Sequence, residues 1–145
     1  MASVFTVDAS VFLNAFNPYE VGHEDSHRLL ARLQQDAAPV IVPTLLLPEV
    51  AAAISRGRED ERLAHEFAAS LSRLPHLVFV PLDMTLAQQT VDVAAQHHLR
   101  GSDAVYAAVA LRFGSTLITL DREQRERVGD VVAARYPAEL LAEAE

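Results

Sequence analysis

Four carboxylates follow short apolar runs or open helix patterns, and they are the first chemical signal in this sequence. Asp8 and Asp121 come directly after the runs FTV and LITL. Asp103, in LRGSDAVYAAVAL, falls in the first turn of a predicted helix, just after a glycine-containing loop. Glu49, in LLLPEVAAAI, falls within the first two turns of the helix that follows residues 39–43. Glutamate is almost never fully buried alone, so a carboxylate in so apolar a run indicates a partner.

If these carboxylates converge, the cluster needs a cation. Two like charges about 4 Å apart repel by roughly 4 kcal/mol at an effective dielectric of 20. Clustered carboxylates therefore raise one another's pKa unless a positive charge compensates them. Oxygen ligands in a chain without cysteine favour a hard ion, Mg²⁺ or Mn²⁺. An ion held by carboxylates and a phosphate group suits metal-assisted hydrolysis of phosphodiesters.

Taken singly, each carboxylate also has an ordinary structural explanation. Asp8 and Asp121 are natural helix N-caps, and Asp121 stands at capping-box spacing from Gln124. Asp103 favours a helix N-terminus through the helix dipole. Capping does not explain Glu49, for which the alternative is an exposed position on the rim of a helix.

The elements that must position these groups alternate between strand and helix patterns. The strand candidates are apolar throughout, as in strands covered on both faces; they are SVFTV (3–7), PVIVP (39–43), HLVFV (76–80), STLIT (115–119) and, as a fifth candidate, VVA (131–133). Helical spacing recurs between them at Leu29, Leu30 and Leu33, at Leu63, Phe67, Leu71 and Leu74, and at Leu86, Thr90, Val93 and His97. The alternation predicts a three-layer α/β/α sandwich around a mainly parallel sheet of four or five strands. Ligands bind such sheets at the carboxyl ends of the strands.

The composition of the chain limits the kinds of protein and of functional site that it can be. A length of 145 residues, half of them apolar, suits a single domain over residues 1–145. The absence of cysteine excludes disulfides, iron–sulfur clusters, cysteine nucleophiles and thiolate zinc sites. A net charge of −8 argues against a general nucleic-acid binder with a basic surface. No signal-peptide pattern and no apolar run of roughly 18 residues occurs, so we expect a cytoplasmic protein with no membrane contact.

All twelve basic residues are arginine, and the chain has no lysine. This excludes the P-loop lysine and Schiff-base chemistry. It also argues against a receiver-type phospho-acceptor, a further alternative for an acidic sheet edge.

Four segments together resemble the PIN domain family, and in particular the VapC-type toxins of toxin–antitoxin pairs: VDAS (7–10), LLLPEVAAAI (45–54), LRGSDAVYAAVA (99–110) and LITLDRE (117–123). The resemblance covers nearly the whole chain, in the family's order. It implies an α/β/α fold and a Mg²⁺- or Mn²⁺-dependent endoribonuclease that leaves a 5′-phosphate and a 3′-hydroxyl. It also implies an RNA substrate, a small antitoxin whose segment covers the acidic cleft, and a homodimer.

The resemblance also implies the site residues. Carried over position by position, the family's acidic residues, expected to be catalytic and to hold the metal, fall on Asp8, Glu49, Asp103 and Asp121. The hydroxyl two residues after its first aspartate falls on Ser10, and the threonine of its T-x-D element falls on Thr119. These two hydroxyls either orient a water at the metal or make local hydrogen bonds at a helix start and a strand end. Pro48 departs from the small or apolar residue that is more usual before the glutamate.

Arginines near these segments are candidates for RNA contacts, since the guanidinium fork suits phosphate. They are Arg56, Arg58, Arg100 and Arg122. For each of them, solvated surface charge is the alternative. Tyr106 lies one turn beyond Asp103; we expect it in the core, with base stacking as the alternative.

Residues 23–27 read HEDSH, which matches the H-E-x-x-H zinc motif of metalloproteases. A zinc peptidase would use His23, Glu24 and His27, but no downstream residue stands out as a third ligand. The acidic residues there also complement a helix N-terminus. The sequence thus supports three hypotheses: a metal-dependent PIN-type ribonuclease toxin, a PIN-like scaffold that binds partners without catalysis, and a zinc peptidase.

Overall fold

The computed structural model describes residues 3–143, which form a five-stranded sheet and the helices that cover it. The strands are Phe5–Val7 (β1), Val40–Pro43 (β2), Leu77–Val80 (β3), Thr116–Ile118 (β4) and Ala134–Arg135 (β5). The helices are Ala9–Phe16 (α1), His23–Gln35 (α2), Leu46–Arg58 (α3), Glu61–Ser72 (α4), Met84–His97 (α5), Gly101–Phe113 (α6), Arg122–Val128 (α7) and Pro137–Glu143 (α8). The predicted α/β/α class and the five-stranded sheet are confirmed.

Every strand pair in the sheet is parallel, and the strand order is β3-β2-β1-β4-β5. The central strand β1 is buried along its whole length and pairs with β4 from Phe5 opposite Thr116 to Val7 opposite Ile118. The Asp8 amide continues this pairing by donating to the Ile118 carbonyl at 3.0 Å. Because the strands are parallel, the residues that follow β1 and β4 lie side by side at the carboxyl edge of the sheet.

The fifth strand candidate, residues 131–133, was wrong, since β5 begins at Ala134. Helix α7 ends at Val128, and the amides of Val131 and Val132 both donate to the Val128 carbonyl at 3.0 Å. The chain is therefore still turning at these two valines. Val132 is buried by this turn without joining the sheet. Apolar character alone could not separate a buried turn from a buried strand.

Helix α6 fixes the position of the acidic segment that begins it. Every residue from Ala104 to Ala110 is buried, and the helix contacts β1, β2, β4 and α5. Four alanines in this stretch allow such close packing on all sides. A helix held so firmly gives its first turn, with Asp103, little freedom. None of the helices within residues 3–143 has the length and apolar character needed to cross a lipid bilayer.

Candidate active site

The structure brings the four predicted carboxylates to one cavity of about 500 Å³ at the carboxyl edge of the sheet. Asp8 follows β1, Glu49 lies in the first turn of α3, Asp103 in the first turn of α6, and Asp121 at the start of α7. Ser10, Arg56 and Arg100 also line this cavity. The convergence expected from the order of strands and helices is therefore present.

Asp8 stands at the N-cap position of α1, but its side chain makes no capping hydrogen bond. Its Oδ2 instead accepts hydrogen bonds from Ser10 Oγ at 2.8 Å and Thr119 Oγ1 at 2.9 Å. Ser10 Oγ in turn accepts a hydrogen bond from the Leu120 amide at 3.2 Å, and Thr119 Oγ1 accepts one from the Asp121 amide at 3.0 Å. The two hydroxyls thus tie the β4–α7 connection to Asp8 and fix the direction of its carboxylate.

Asp8 is buried, and its environment opposes ionisation. Its relative exposure is 5 %, and this burial raises the pKa of the Asp8 carboxyl. Hydrogen bonds from Ser10 and Thr119 lower this pKa, while the negative charge of Asp103 raises it further. The hydroxyl donors orient the carboxylate but bring no positive charge, so they compensate its burial only in part.

Tyr106 is the partner of Glu49 that the sequence did not reveal. The Tyr106 hydroxyl, on α6, donates to Glu49 Oε1, on α3, at 2.6 Å. Tyr106 has no exposed surface, so the core position expected for it is confirmed and its ring is not free to stack on a base. A buried tyrosine hydroxyl nearly always finds an acceptor, which is the signal that could have linked the two residues.

The Tyr106–Glu49 bond also sets which group carries the proton. Burial, followed by the charge of Glu49, raises the pKa of Tyr106, so its hydroxyl stays protonated and acts as the donor. Burial also raises the pKa of Glu49; the hydrogen bond from Tyr106 lowers it, and the charges of Asp8 and Asp103 raise it again. A cation between these carboxylates would relieve their mutual repulsion.

Pro48 does not disturb the helix that carries Glu49. It is the third residue of α3, which begins at Leu46. The amides of the first helical turn have no partner within a helix, so a proline there sacrifices no helical hydrogen bond. The Glu49 amide already donates to the Leu45 carbonyl at 3.2 Å. The unusual residue before the glutamate is therefore compatible with an ordinary helix start.

Asp103 and Asp121 are joined by one arginine. Arg100 Nη2 lies 2.8 Å from Asp121 Oδ2, and Arg100 Nε lies 3.3 Å from Asp103 Oδ2. Burial, and then the charge of Asp121, raises the pKa of Asp103, whereas Arg100 lowers it. The Arg100 guanidinium thus supplies the positive charge for this pair of carboxylates.

The capping role expected for Asp121 is confirmed, because its Oδ1 accepts the Gln124 amide at 2.9 Å. The reciprocal half of the capping box is missing. Gln124 Nε2 donates instead to the Asp103 carbonyl at 2.8 Å. Helix α7 is thereby attached to the first turn of α6, which keeps Asp103 and Asp121 on the same side of the cavity.

The chemistry of these groups fits a hard divalent ion, but their arrangement in this structure already includes another cation. All four side chains offer carboxylate oxygens, and they line the same cavity. Within residues 3–143, however, no three His, Asp or Glu side chains are placed as ligands of a single ion. Arg100 occupies an oxygen of both Asp103 and Asp121, and Tyr106 occupies one of Glu49. Metal binding therefore requires side chains to turn.

The four candidate RNA-binding arginines lie in different places. Arg56 and Arg100 line the acidic cavity. Arg58 lies in a neighbouring groove, with its guanidinium carbon 5.9 Å from the centre of the Phe16 ring. Arg122 pairs with Glu126 at 3.0 Å along α7. The structure thus brings only two of the four to the carboxylates.

The HEDSH segment forms the first turn of α2. The rings of His23 and His27 lie 5.5 Å apart, and His23 Nδ1 lies 3.0 Å from the Asn14 carbonyl oxygen. The part of the chain that the structure describes offers no third histidine or carboxylate to complete a metal site with them. Neither histidine lines the acidic cavity. This geometry does not support a zinc peptidase.

Solved structures with the same fold include a toxin and a toxin–antitoxin complex. VapC20 of Mycobacterium tuberculosis, described as a sarcin–ricin loop cleaving toxin, is 20% identical, with a TM-score of 0.71 over 86% of this chain and 94% of its own. PAE2754 of Pyrobaculum aerophilum is 24% identical, with a TM-score of 0.70 over 99% and 97% of the two chains. A toxin–antitoxin complex from Klebsiella pneumoniae is 16% identical, with a TM-score of 0.63 over 94% and 98%.

No curated protein sequence matches the chain. The family model for the PIN domain, in contrast, matches residues 5–129. That range contains β1 to β4 and all four of the carboxylates that line the cavity. Because the match extends over most of its length, the chain belongs to the PIN domain family.

Proposed function

We propose that the protein is a Mg²⁺- or Mn²⁺-dependent endoribonuclease that acts as the toxin of a VapBC-type toxin–antitoxin pair. The observation that carries the proposal is the convergence of four carboxylates on one cavity at the carboxyl edge of the sheet. Membership of the PIN domain family and the similarity to VapC20, a toxin described as cleaving the sarcin–ricin loop, support the same reaction class.

The acidic residues are the proposed catalytic and metal-binding residues: Asp8, Glu49, Asp103 and Asp121. These four carboxylates would hold a divalent ion, whose chemistry would be to lower the pKa of a water and to stabilise the charge that develops on the phosphate. Ser10 and Thr119 hold Asp8 in one direction, and Tyr106 does so for Glu49. These hydroxyls are therefore positioning groups for the carboxylates.

The proposed reaction is hydrolysis of an RNA phosphodiester. Water supplies the hydroxyl group that stays on the phosphorus, the P–O3′ bond breaks, and the leaving oxygen takes a proton. The products are a 5′-phosphate and a 3′-hydroxyl. Arg56 lines the wall of the cavity and would bind a neighbouring phosphate of the RNA.

A small antitoxin is the proposed protein partner, because the similar structures include a toxin–antitoxin complex. The antitoxin would cover the acidic cavity. A homodimer and a cytoplasmic location are further proposals that rest on the family resemblance and the sequence.

RNA cleavage by the purified protein tests the proposal, with Mg²⁺ or Mn²⁺ and with EDTA. We expect Asp8→Asn and Asp103→Asn to lose at least about a hundredfold in rate, since loss of groups that merely support metal ligands costs 10–100-fold. Asp92→Asn is the matched control, because Asp92 is an exposed carboxylate on α5 outside the cavity. Circular dichroism of each variant verifies the fold. Cleavage that survives EDTA, or both cavity substitutions, would contradict the proposal.

The position of Arg100 is the observation that favours the second hypothesis, a PIN-like scaffold that binds partners without catalysis. Its guanidinium already neutralises part of the acidic cavity. Calorimetric binding of Mn²⁺ together with no cleavage of any RNA would favour the scaffold over the nuclease.

A further inference from the structure

We propose that Arg100 is an internal counter-cation of the acidic cavity that competes with the divalent ion for Asp103 and Asp121. The inference rests on the proposed metal-dependent function. It adds that a residue of the chain itself, Arg100, lowers the affinity of the cavity for the metal ion. Removal of the guanidinium would then strengthen metal binding, which is the opposite of the effect expected for a group that supports the metal.

The guanidinium of Arg100 is held by its two ion pairs and is otherwise close to water. It contacts Asp121 Oδ2 at 2.8 Å and Asp103 Oδ2 at 3.3 Å. The Arg100 side chain is 72% exposed, whereas those of Asp103 and Asp121 are 14% and 22% exposed. Its carbonyl accepts the Ala104 amide at 2.9 Å, so the backbone is fixed at the start of α6. Only the side chain has to move for the guanidinium to leave.

The other two carboxylates of the cavity, Asp8 and Glu49, show why the positive charge of Arg100 matters. Asp8 and Glu49 accept hydrogen bonds from the hydroxyls of Ser10, Thr119 and Tyr106, which carry no charge. In the described part of the chain, both ion pairs that reach the four carboxylates come from Arg100. The guanidinium therefore provides the direct compensation for the negative charge of this cavity.

Competition follows from the shared oxygens. A divalent ion bound by Asp103 and Asp121 needs oxygens that face the cavity, and Oδ2 of each is the atom that Arg100 contacts. The other oxygen of Asp121 is committed to the helix cap, where it accepts the Gln124 amide. The ion and the guanidinium therefore compete for Oδ2 of Asp121 as long as the cap of α7 is kept.

Calorimetric titration with Mn²⁺ tests the inference on three forms of the full chain: the unmodified protein, Arg100→Gln and Arg122→Gln. Arg122 is the matched control, because it adjoins Asp121 in sequence but pairs with Glu126 on the exposed face of α7. Both substitutions remove one positive charge from the same neighbourhood. We expect the Kd of Arg100→Gln for Mn²⁺ to be about fivefold lower than that of Arg122→Gln. A change of this size corresponds to the free energy of an exposed ion-pair network. The difference should shrink as ionic strength rises.

Thermal unfolding gives a second readout that does not depend on activity. Without metal, Arg100→Gln should unfold about 2 °C below Arg122→Gln, because the cavity has lost its counter-cation. Saturating Mn²⁺ should abolish that difference, since the ion then supplies the charge in both variants.

The possible outcomes separate this inference from the proposed function. Equal Mn²⁺ affinity in the two variants, or weaker binding by Arg100→Gln, would overturn the competition while leaving the metal-dependent nuclease in place. Absence of Mn²⁺ binding in all three forms would overturn the metal-dependent function, and the inference with it.

Discussion

The acidic cavity has two halves that hold their carboxylates in different ways. In the inner half, Asp8 and Glu49 are held by the hydroxyls of Ser10, Thr119 and Tyr106. In the outer half, Asp103 and Asp121 are held by the guanidinium of Arg100. Both halves thus have hydrogen-bond donors, but among residues 3–143 only the donors of the outer half include a positive charge.

This difference teaches what each kind of donor can do. A hydroxyl fixes the direction of a carboxylate without neutralising it, so the inner half keeps its electrostatic demand for a cation. A guanidinium meets part of that demand, since the pKa of Asp103 stays raised beside Arg100, and a guanidinium that is mostly exposed can leave at small cost. In the proposed metal site, the inner half would therefore supply a fixed pair of ligands, and the outer half an exchangeable one.

Asp8→Asn gives the largest expected effect, because it removes a carboxylate from the inner half. Besides the loss of at least about a hundredfold in RNA cleavage, we expect the metal-free protein to gain about 1 kcal/mol in its free energy of unfolding at pH 7. Asparagine can still accept the bonds of Ser10 and Thr119 but carries no buried charge. Urea unfolding in EDTA measures the gain.

Asp103→Asn is the comparison in the outer half. It should lose activity to a similar extent but gain little stability, since it also loses its ion pair with Arg100. Equal stabilisation by the two substitutions would remove the distinction between the two halves.

Tyr106→Phe should have the next largest effect, through Glu49. It deletes the hydroxyl that lies 2.6 Å from Glu49 Oε1 and leaves the ring in the core. We expect 10–100-fold slower cleavage, weaker Mn²⁺ binding, and a loss of about 1.5 kcal/mol in stability. Tyr136→Phe, outside the cavity, is the control for removal of a tyrosine hydroxyl. Loss of stability with unchanged Mn²⁺ affinity would mean that Tyr106 is structural only.

The pH dependence of stability reports on the buried carboxylates of the cavity, which include Asp8 and Glu49 in the inner half and Asp103 in the outer half. Burial raises the pKa of Asp8 and Glu49 above their ordinary values of 3.8 and 4.5. The folded protein thus holds these protons more tightly than the unfolded chain does. Their contribution to stability is complete below those ordinary values and is lost as the pH rises through the raised ones.

Urea unfolding in EDTA between pH 4 and pH 8 measures this loss. Asp8→Asn should show a shallower decline than the unmodified protein, and saturating Mg²⁺ should flatten the decline in the latter. Identical pH profiles for Asp8→Asn and the unmodified protein would show that Asp8 ionises as freely in the folded state as in the unfolded one.

Arg56→Gln has the smallest expected effect, because it changes the wall of the cavity and neither of its halves. We expect a KM for RNA about three- to fivefold higher, with kcat nearly unchanged and a weaker dependence of binding on salt. Arg58→Gln is the matched control, since its guanidinium lies against Phe16 in the neighbouring groove. An equal rise in KM for the two variants would assign RNA binding to the whole groove and not to Arg56.

The sequence predicted the framework of this cavity well, because strand ends and helix starts are local features. Asp8 and Asp121 follow apolar strands, and parallel strands bring their carboxyl ends to one edge. The displacement of β5 from residues 131–133 to Ala134–Arg135 does not change which residues line the cavity, since none of them lies on that strand.

The sequence did not predict which donors the carboxylates would take. Tyr106 and Glu49 are 57 positions apart, and their contact depends on where the assembled fold places α3 and α6. Arg100 was a candidate contact for RNA phosphate, and in the structure its side chain pairs with Asp103 and Asp121. The rotamer of each side chain in a charged cavity depends on the charges that the fold brings together. No local sequence pattern describes those charges.

A crystal structure of the protein with Mn²⁺, using anomalous scattering to locate the ion, tests the central claim most directly. We predict an anomalous peak bonded to carboxylate oxygens of Asp8 and at least one other of the four acidic residues, with the Arg100 guanidinium turned away from Asp121. A cavity without a peak at saturating Mn²⁺, with Arg100 still bridging Asp103 and Asp121, would contradict it.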